Sequence, residues 1–286
     1  VRREQIAAAP ISWGVCEVPG WGHQLTPERV LAEMAGLGIG ASEFGPDGFL
    51  PGPLLAAHGV TAVGGFVPAV LHDPDRDPLP DVRAALDRFT AAGARTLVLA
   101  AATGRDGYDE RPPLDAVGWR TLLARLDEVA GLAESLGATA ALHPHVGTLV
   151  EGPDEIGRVL EGSGIGLCLD TGHVLVGGGD PVELARRAAA RVTHVHLKDV
   201  DAGAAAAVRA GRTSYGAAVA AGLYRPLGRG DLDLPVLLAA LDAAGYAGWY
   251  VMEQDTVLAA EPAPGEGPLA DVAASLDWLL EWASES

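Results

Sequence analysis

Ile165-Gly-Leu-Cys-Leu-Asp-Thr-Gly-His173 and Val192-Thr-His-Val-His-Leu-Lys-Asp199 flank a helical stretch that opens at Pro181. Each flank is a short apolar run that ends in polar, reactive residues. Apolar runs of this length, bounded by turn signals, read as buried strands over 165–170 and 192–197. Pro181 to about Ala190 reads as the helix between them. Strand, helix and strand in this order imply parallel pairing through a crossover.

The same alternation extends in both directions. Toward the N-terminus, Pro10 to Val15 reads as a first strand, and Thr26-Pro27-Glu28 opens a helix with Thr26 as N-cap and Gly38 as its stop. Strands are expected at Ile39–Phe44, Val60–Val67, Thr96–Ala101 and Thr139–His143. Helices are expected near Pro53–His58, Asp81–Ala92, Leu114–Leu136 and Pro153–Leu160. Toward the C-terminus come a helix at Leu234–Ala244, an eighth strand at Trp249–Glu253 and a last helix at Leu269–Trp282. About eight strand–helix units over 1–286 predict one α/β domain, a (β/α)8 TIM barrel. A doubly wound sheet would carry a Gly-rich phosphate turn after its first strand. Here that turn reads Trp13-Gly-Val-Cys-Glu-Val-Pro-Gly-Trp-Gly22, not GxGxxG. One connection, 198–233, is far longer than an ordinary βα loop. In a barrel it lies over the mouth, either as a substrate-gripping lid or as a disordered excursion.

The composition narrows the function. The chain has 286 residues, with Lys plus Arg at 20 against Asp plus Glu at 38, a formal charge of −18. Such a chain repels phosphate backbones, which argues against nucleic acid as a partner. Two cysteines, Cys16 and Cys168, supply no disulfide framework and no CxxC pair. No apolar stretch reaches the ~20 residues of a bilayer span, and the apolar run before Pro10 is too short for a signal peptide. The expectation is a cytoplasmic protein with no membrane partner.

Barrel chemistry sits at the C-terminal ends of the strands. The fifth strand ends in His143-Pro-His145, the sixth in Asp170-Thr-Gly-His173, and the eighth in Glu253. On the seventh, His194, His196 and Lys198 share one face by alternation. Any one of these suits a capping or hydrogen-bonding role, and Asp170 reads equally as a helix cap. Four consecutive strands delivering imidazole or carboxylate to one rim point instead to a divalent metal with nitrogen and oxygen ligands. Trp13, Glu17, Trp21, Glu43 and His72 lie at or beyond the first three strand ends, as pocket wall and hydroxyl acceptors or as plain packing and surface groups. Cys168 reads as a small core residue.

These segments resemble the xylose isomerase-like TIM barrel superfamily, which holds sugar isomerases, epimerases and endonuclease IV-type proteins. The resemblance rests on Asp170-Thr-Gly-His173, His194-Val-His-Leu-Lys-Asp199 and Gly248-Trp-Tyr-Val-Met-Glu253. Ile11-Ser-Trp-Gly-Val-Cys-Glu-Val-Pro-Gly-Trp-Gly22, Glu43-Phe-Gly-Pro-Asp-Gly48, His143-Pro-His-Val-Gly-Thr148, Gly228-Arg-Gly-Asp-Leu-Asp233 and Glu253-Gln-Asp255 look closest to the inosose dehydratase branch.

The resemblance implies Asp170, His196 and Glu253 as metal ligands, with His143 or His145 as the fourth and His143 favoured by strand position. Epimerases of the superfamily carry Glu where this chain has His143, so two-base epimerisation loses one of its carboxylates. His173 and Lys198 match substrate-contacting positions, and Trp13, Glu43 and Arg229 are further candidates for binding substrate. Manganese or cobalt suits the mixed ligand set, with zinc or magnesium as alternatives. The implied activity is metal-dependent dehydration of a keto-inositol through an enolate. Lys198, His173 or a metal-bound water is the candidate acid, and Glu253 or His145 the candidate base. Rival readings are a sugar or keto-sugar isomerase or epimerase, β-elimination from a 3-keto-glycoside, and, remotely, an endonuclease at damaged DNA. The expected partner is a small unphosphorylated polyol or keto-sugar, with a homo-oligomer as an open option because barrels of this family often pair.

Overall fold

The computed structural model describes residues 1–285. Its strands are β1 (Ile6–Ala8), β2 (Ala41–Ser42), β3 (Thr61–Ala62), β4 (Gly64–Ala69), β5 (Thr96–Ala101), β6 (Thr139–Leu142), β7 (Gly166–Asp170), β8 (Val192–Leu197), β9 (Asp199–Val200), β10 (Tyr224–Arg225) and β11 (Tyr250–Met252). The helices are α1 (Pro27–Gly36), α2 (Gly52–Ala57), α3 (Leu79–Ala91), α4 (Ala116–Ser135), α5 (Pro153–Gly162), α6 (Thr171–Val176), α7 (Pro181–Ala188), α8 (Ala202–Arg209), α9 (Tyr215–Ala220), α10 (Leu234–Ala243) and α11 (Pro268–Glu285).

Nine strands form one sheet in the order β3-β2-β1-β11-β8-β7-β6-β5-β4, with parallel pairing throughout. The expected third strand is two pieces, β3 and β4, divided at Val63. β3 pairs with β2, and β4 pairs with β5. The circuit therefore closes through the chain itself at Val63, a nearly closed TIM barrel.

The first strand is not where the apolar pattern placed it. β1 is Ile6–Ala8, in register with Tyr250–Met252 on one side and Ser42 on the other. Pro10 has no N–H for a ladder, and it opens a short 3-10 turn over Pro10–Trp13 that Gly14 ends at φ +80°. The other boundaries shift by a few residues, and Thr26 caps α1 through Arg29 N as its sequence position implies.

Two kinds of core follow from strand alternation. Leu167 and Leu169 of β7 join the large apolar layer under the helices, whereas Cys168 faces Val98 and Ala141 in a separate small cluster. A second small cluster holds Ala7, Ala9, Ala41, Val63 and Val251. The inward positions of a barrel are usually filled by bulky branched residues. Small ones here leave room for the larger polar side chains of the rim.

The 198–233 connection is folded. β9 and β10 pair antiparallel at its two ends, and α8 and α9 lie between them. Asp199 pins the connection by accepting from Val200 N (2.9 Å), Gly230 N (2.9 Å) and Leu232 N (3.2 Å). Val200, Ala205, Tyr215, Val219, Leu223 and Tyr224 bury one another and pack with Val146 and Val176 of the barrel mouth. Among the described residues, no helix is long and apolar enough to cross a membrane.

Candidate metal and substrate site

β7 ends in Asp170, which then caps α6. Its Oδ1 accepts from His173 N at 2.8 Å, so the two oxygens of one carboxylate have different tasks. Oδ2 faces the barrel axis, 3.1 Å from His143 Nε2, 3.6 Å from His196 Nδ1 and 3.1 Å from Lys198 Nζ. Glu253, one residue past β11, places Oε2 3.1 Å from His196 Nδ1 and 3.0 Å from Lys198 Nζ.

His196 is fixed from behind. Glu43, at the end of β2, is buried, and its Oε1 accepts from His196 Nε2 at 3.0 Å and from His194 Nε2 at 2.8 Å. With Nε2 engaged, Nδ1 of His196 is turned to the oxygens of Asp170 and Glu253, where it makes no aligned hydrogen bond. An imidazole with a carboxylate behind it and two carboxylate oxygens in front is a donor set that fits a divalent metal. Ligand atoms of Asp170, His196 and Glu253 all lie within 4.8 Å of one another, and His143 forms a similar group with Asp170 and His173.

The electrostatics follow from this crowding. Burial opposes the charge on Lys198, yet Asp170, Asp255 and Glu253 hold the ammonium well above the ordinary lysine range. Burial likewise opposes ionisation of Glu253, but the charges of His196 and Lys198 bring its carboxyl down to about 2. Asp170 is held well below its ordinary value against burial, chiefly by Lys198. His145 goes the other way. Burial, helped by the nearby His143 and Lys198, keeps its imidazole well below the usual range and neutral. Its Nδ1 donates to Val146 O at 2.7 Å, so Nε2 keeps a lone pair.

These groups open onto a pocket at the C-terminal end of the strands. His143, His145, His196, Lys198, Glu253 and Asp255 line its floor, and Phe66, Tyr108 and Trp21 line its walls. Tyr108 donates to Glu17 across the rim, and its ring lies 4.5 Å from that of His145. No arginine lines the cavity among the described residues.

A family model of the xylose isomerase-like TIM barrel matches residues 53–282. The chain belongs to that family. The rhizopine catabolism protein MocC of Rhizobium meliloti is 34% identical over 268 residues, which is 88% of this chain and 81% of MocC. An inosose dehydratase of Geobacillus kaustophilus is 32% identical over 88% of this chain and 87% of its own. Among solved structures, L-ribulose 3-epimerase superposes with a TM-score of 0.71 at 18% identity, covering 98% of this chain and 94% of its own. The IolI protein, determined with a bound zinc atom, superposes at 0.70 and 14% identity over 98% of both chains. The two structures show the shared fold. Like its inosose dehydratase relatives, the chain is an enzyme.

Not every residue singled out in the sequence reaches the family's cavity. His143 groups with Asp170 and His173 and, separately, with Cys168 and His196. His145 stands in no such cluster among the described residues and instead lies with its ring centroid 3.7 Å from that of His173, the two rings tilted. His173 is buried beside Lys198, with its Nε2 3.0 Å from Nζ. Trp13 is fully buried, and its indole donates to Glu33 of α1 at 2.9 Å, away from the cavity lining. That placement follows from the shift of β1 toward the N-terminus. Arg229 is exposed and lines a separate cleft with Arg225 and Asp271. His72 is half-buried and outside the lining. Sequence reasoning assigned no role to Asp255, Tyr108, Tyr215 or Tyr224. Asp255 had a signal, since strand alternation puts it on the face of Glu253. The tyrosines had none, because they arrive from long connections.

Proposed function

We propose that this chain is a metal-dependent lyase that dehydrates a keto-inositol, 2-keto-myo-inositol being the first substrate to test. The observation that carries the reading is the convergence of Asp170, His196 and Glu253 beneath a cavity that also holds a neutral His145 and a cationic Lys198. The inosose dehydratase relative supports the substrate class. Asp170, His196, Glu253 and His143 would hold the ion, with manganese or cobalt preferred for a mixed nitrogen and oxygen set and zinc or magnesium as alternatives. Bound there, a divalent ion supplies Lewis acidity for the negative charge that develops on the substrate's carbonyl oxygen.

The chain's own groups divide the remaining work. His145 Nε2 takes the proton from the carbon next to the ketone. Lys198 Nζ gives a proton to the β-hydroxyl, whose C–O bond breaks as the C=C bond forms. Water and the enol of a dione result. His145 then releases its proton to solvent and Lys198 takes one up, so both groups return to their starting states and no net proton is consumed. Phe66, Trp21 and Tyr108 exclude bulk water from the cavity, which strengthens the field of the charged groups within it. The absence of arginine from the lining among the described residues favours an unphosphorylated substrate. Epimerisation on the same scaffold needs a second base facing the opposite side of the substrate carbon, and His143 stands where a carboxylate would serve.

Proton NMR of the protein loaded with zinc or magnesium, in heavy water with 2-keto-myo-inositol, tests this. A parallel sample with manganese or cobalt is quenched with chelator. Appearance of the dione is the expected result. Deuterium entering the α-carbon without loss of water moves the enzyme to the isomerases, and no change with any of these metals removes the substrate.

A further inference from the structure

Lys198 Nζ has four polar neighbours: Asp170 Oδ2 at 3.1 Å, Glu253 Oε2 at 3.0 Å, Asp255 Oδ1 at 2.9 Å and His173 Nε2 at 3.0 Å. The first two are the same oxygens that face His196 Nδ1. A lysine ammonium and a divalent ion therefore have a claim on the same pair of atoms. Like charges that close together in a buried site repel strongly. The ammonium needs another seat if the ion is to enter, and its other two neighbours provide one. Asp255 is buried and stands in none of the ligand clusters found among the described residues. Its Oδ2 accepts from Tyr215 Oη at 2.6 Å, and Tyr215 Oη lies 3.0 Å from Tyr224 Oη. The Tyr224 ring lies 5.4 Å from Nζ, within reach of a cation–π contact. Tyr215 is itself held in place, because its backbone N–H donates to Asp109 Oδ1 at 2.8 Å.

We infer that Asp255, clamped by Tyr215 of α9, is a positioning residue that draws the Lys198 ammonium off Asp170 and Glu253 so that these two can bind a divalent ion. The inference rests on the metal reading of the site. It gives the folded 198–233 connection a role in that reading, since α9 supplies the clamp and β10 the aromatic ring behind the ammonium.

The test is Mn2+ affinity, read from the paramagnetic resonance of free Mn2+, for the wild type, Asp255→Asn, Tyr215→Phe, Lys198→Met and the Lys198→Met/Asp255→Asn double variant. Circular dichroism verifies folding of each. Asp255→Asn is expected to bind about tenfold more weakly, a coupling in the range for residues that share one ion-pair network. Tyr215→Phe, which removes one hydroxyl, shifts affinity in the same direction by less. In the Lys198→Met background, Asp255→Asn is expected to change affinity little, because no ammonium remains to be held. Equal Mn2+ affinity of the wild type and Asp255→Asn overturns the inference. An undiminished loss in the Lys198→Met background also overturns it, and assigns Asp255 a direct part in binding the ion. A wild type that binds neither Mn2+ nor Zn2+ removes the metal reading first and the inference with it.

Discussion

At the scale of single residues, the site is economical because side chains do two things at once. Asp170 was readable either as a helix cap or as a ligand, and the structure gives its carboxylate both geometries, Oδ1 to the α6 backbone and Oδ2 to the cluster. The two can be separated experimentally. Asp170→Asn keeps a capping oxygen and loses the charge, so it is expected to abolish metal retention with little change in the melting temperature of the metal-free protein. Asp170→Ala loses the cap as well, at a further cost of about 1 kcal/mol. Metal content by elemental analysis and a thermal melt of both variants check this, and full occupancy in Asp170→Asn would remove Asp170 from the ligand set. Glu43 offers a parallel case. It holds two imidazoles and touches the cluster only through His196. Glu43→Ala is expected to weaken metal binding about 10–100-fold, the usual effect of losing a carboxylate behind a ligating histidine. Glu43→Gln keeps an acceptor oxygen and should recover part of that loss. Equal affinity in the Ala and Gln variants would mean that the hydrogen bond to His196 does not orient it.

At the scale of elements, the strands that build the floor were legible because each is a clean apolar run stopped by polar residues. Thr96–Ala101 and Val192–Leu197 have the expected bounds, and Gly166–Asp170 differs by one residue. β1 escaped because Ile6-Ala-Ala is short and built mostly of small alanines, and the bulkier side chains Ile11, Trp13 and Val15 beside it competed. β3 and β4 look continuous in sequence because only pairing partners divide them. The 198–233 connection is Ala-rich, so its helices have propensity but little pattern, and their packing against Val146 and Val176 is a tertiary fact. Asp201 shows how this connection responds to acid. Its carboxylate accepts from Ala204 N at 2.9 Å and meets Arg225 at 3.2 Å, and these contacts, the backbone bond first, hold it below the ordinary value of 3.8. A carboxyl depressed in the folded state stabilises above its unfolded pKa, and that contribution fades as pH falls through the folded value. Pepsin digestion below about pH 4 should therefore nick 198–233 sooner in wild type than in Asp201→Asn, whose amide caps without titrating. Identical acid profiles would show that this cap does not govern opening of the connection. A second element-scale prediction concerns Gly147, at φ +77°, where a Cβ would lie 2.4 Å from backbone atoms of Tyr108. Gly147→Ala must push Tyr108 away from the rim. With the keto-inositol substrate, KM should rise more than kcat falls, and an unchanged KM would take Tyr108 out of substrate binding.

At the scale of the whole molecule, the barrel and its site are separable in energy. Hydrophobic burial under the helices and the small interior clusters hold the fold, and none of those residues is a candidate ligand except Cys168 at the cluster's edge. Burial pushes the Cys168 thiol up to about 11, so as it stands it packs as a neutral side chain. The floor above it collects Glu43, Asp170, Glu253 and Asp255 in a chain that already carries a formal charge of −18. A dication that binds the folded floor and not the unfolded chain stabilises by mass action, about 2.7 kcal/mol at a hundred times its Kd. For a chain of this size that corresponds to a rise of roughly 4–5 °C in melting temperature. Chelation should thus lower the melting temperature without unfolding the barrel at 25 °C. Titrating Mn2+ back should raise it steadily in the wild type and leave Asp170→Asn and Glu253→Gln flat. Calorimetry across the titration decides between two origins. A wild type indifferent to Mn2+, Co2+ and Zn2+ would show that Lys198 and His196 alone neutralise the floor. The four carboxylates would then hold an acid–base site, with no place for an ion.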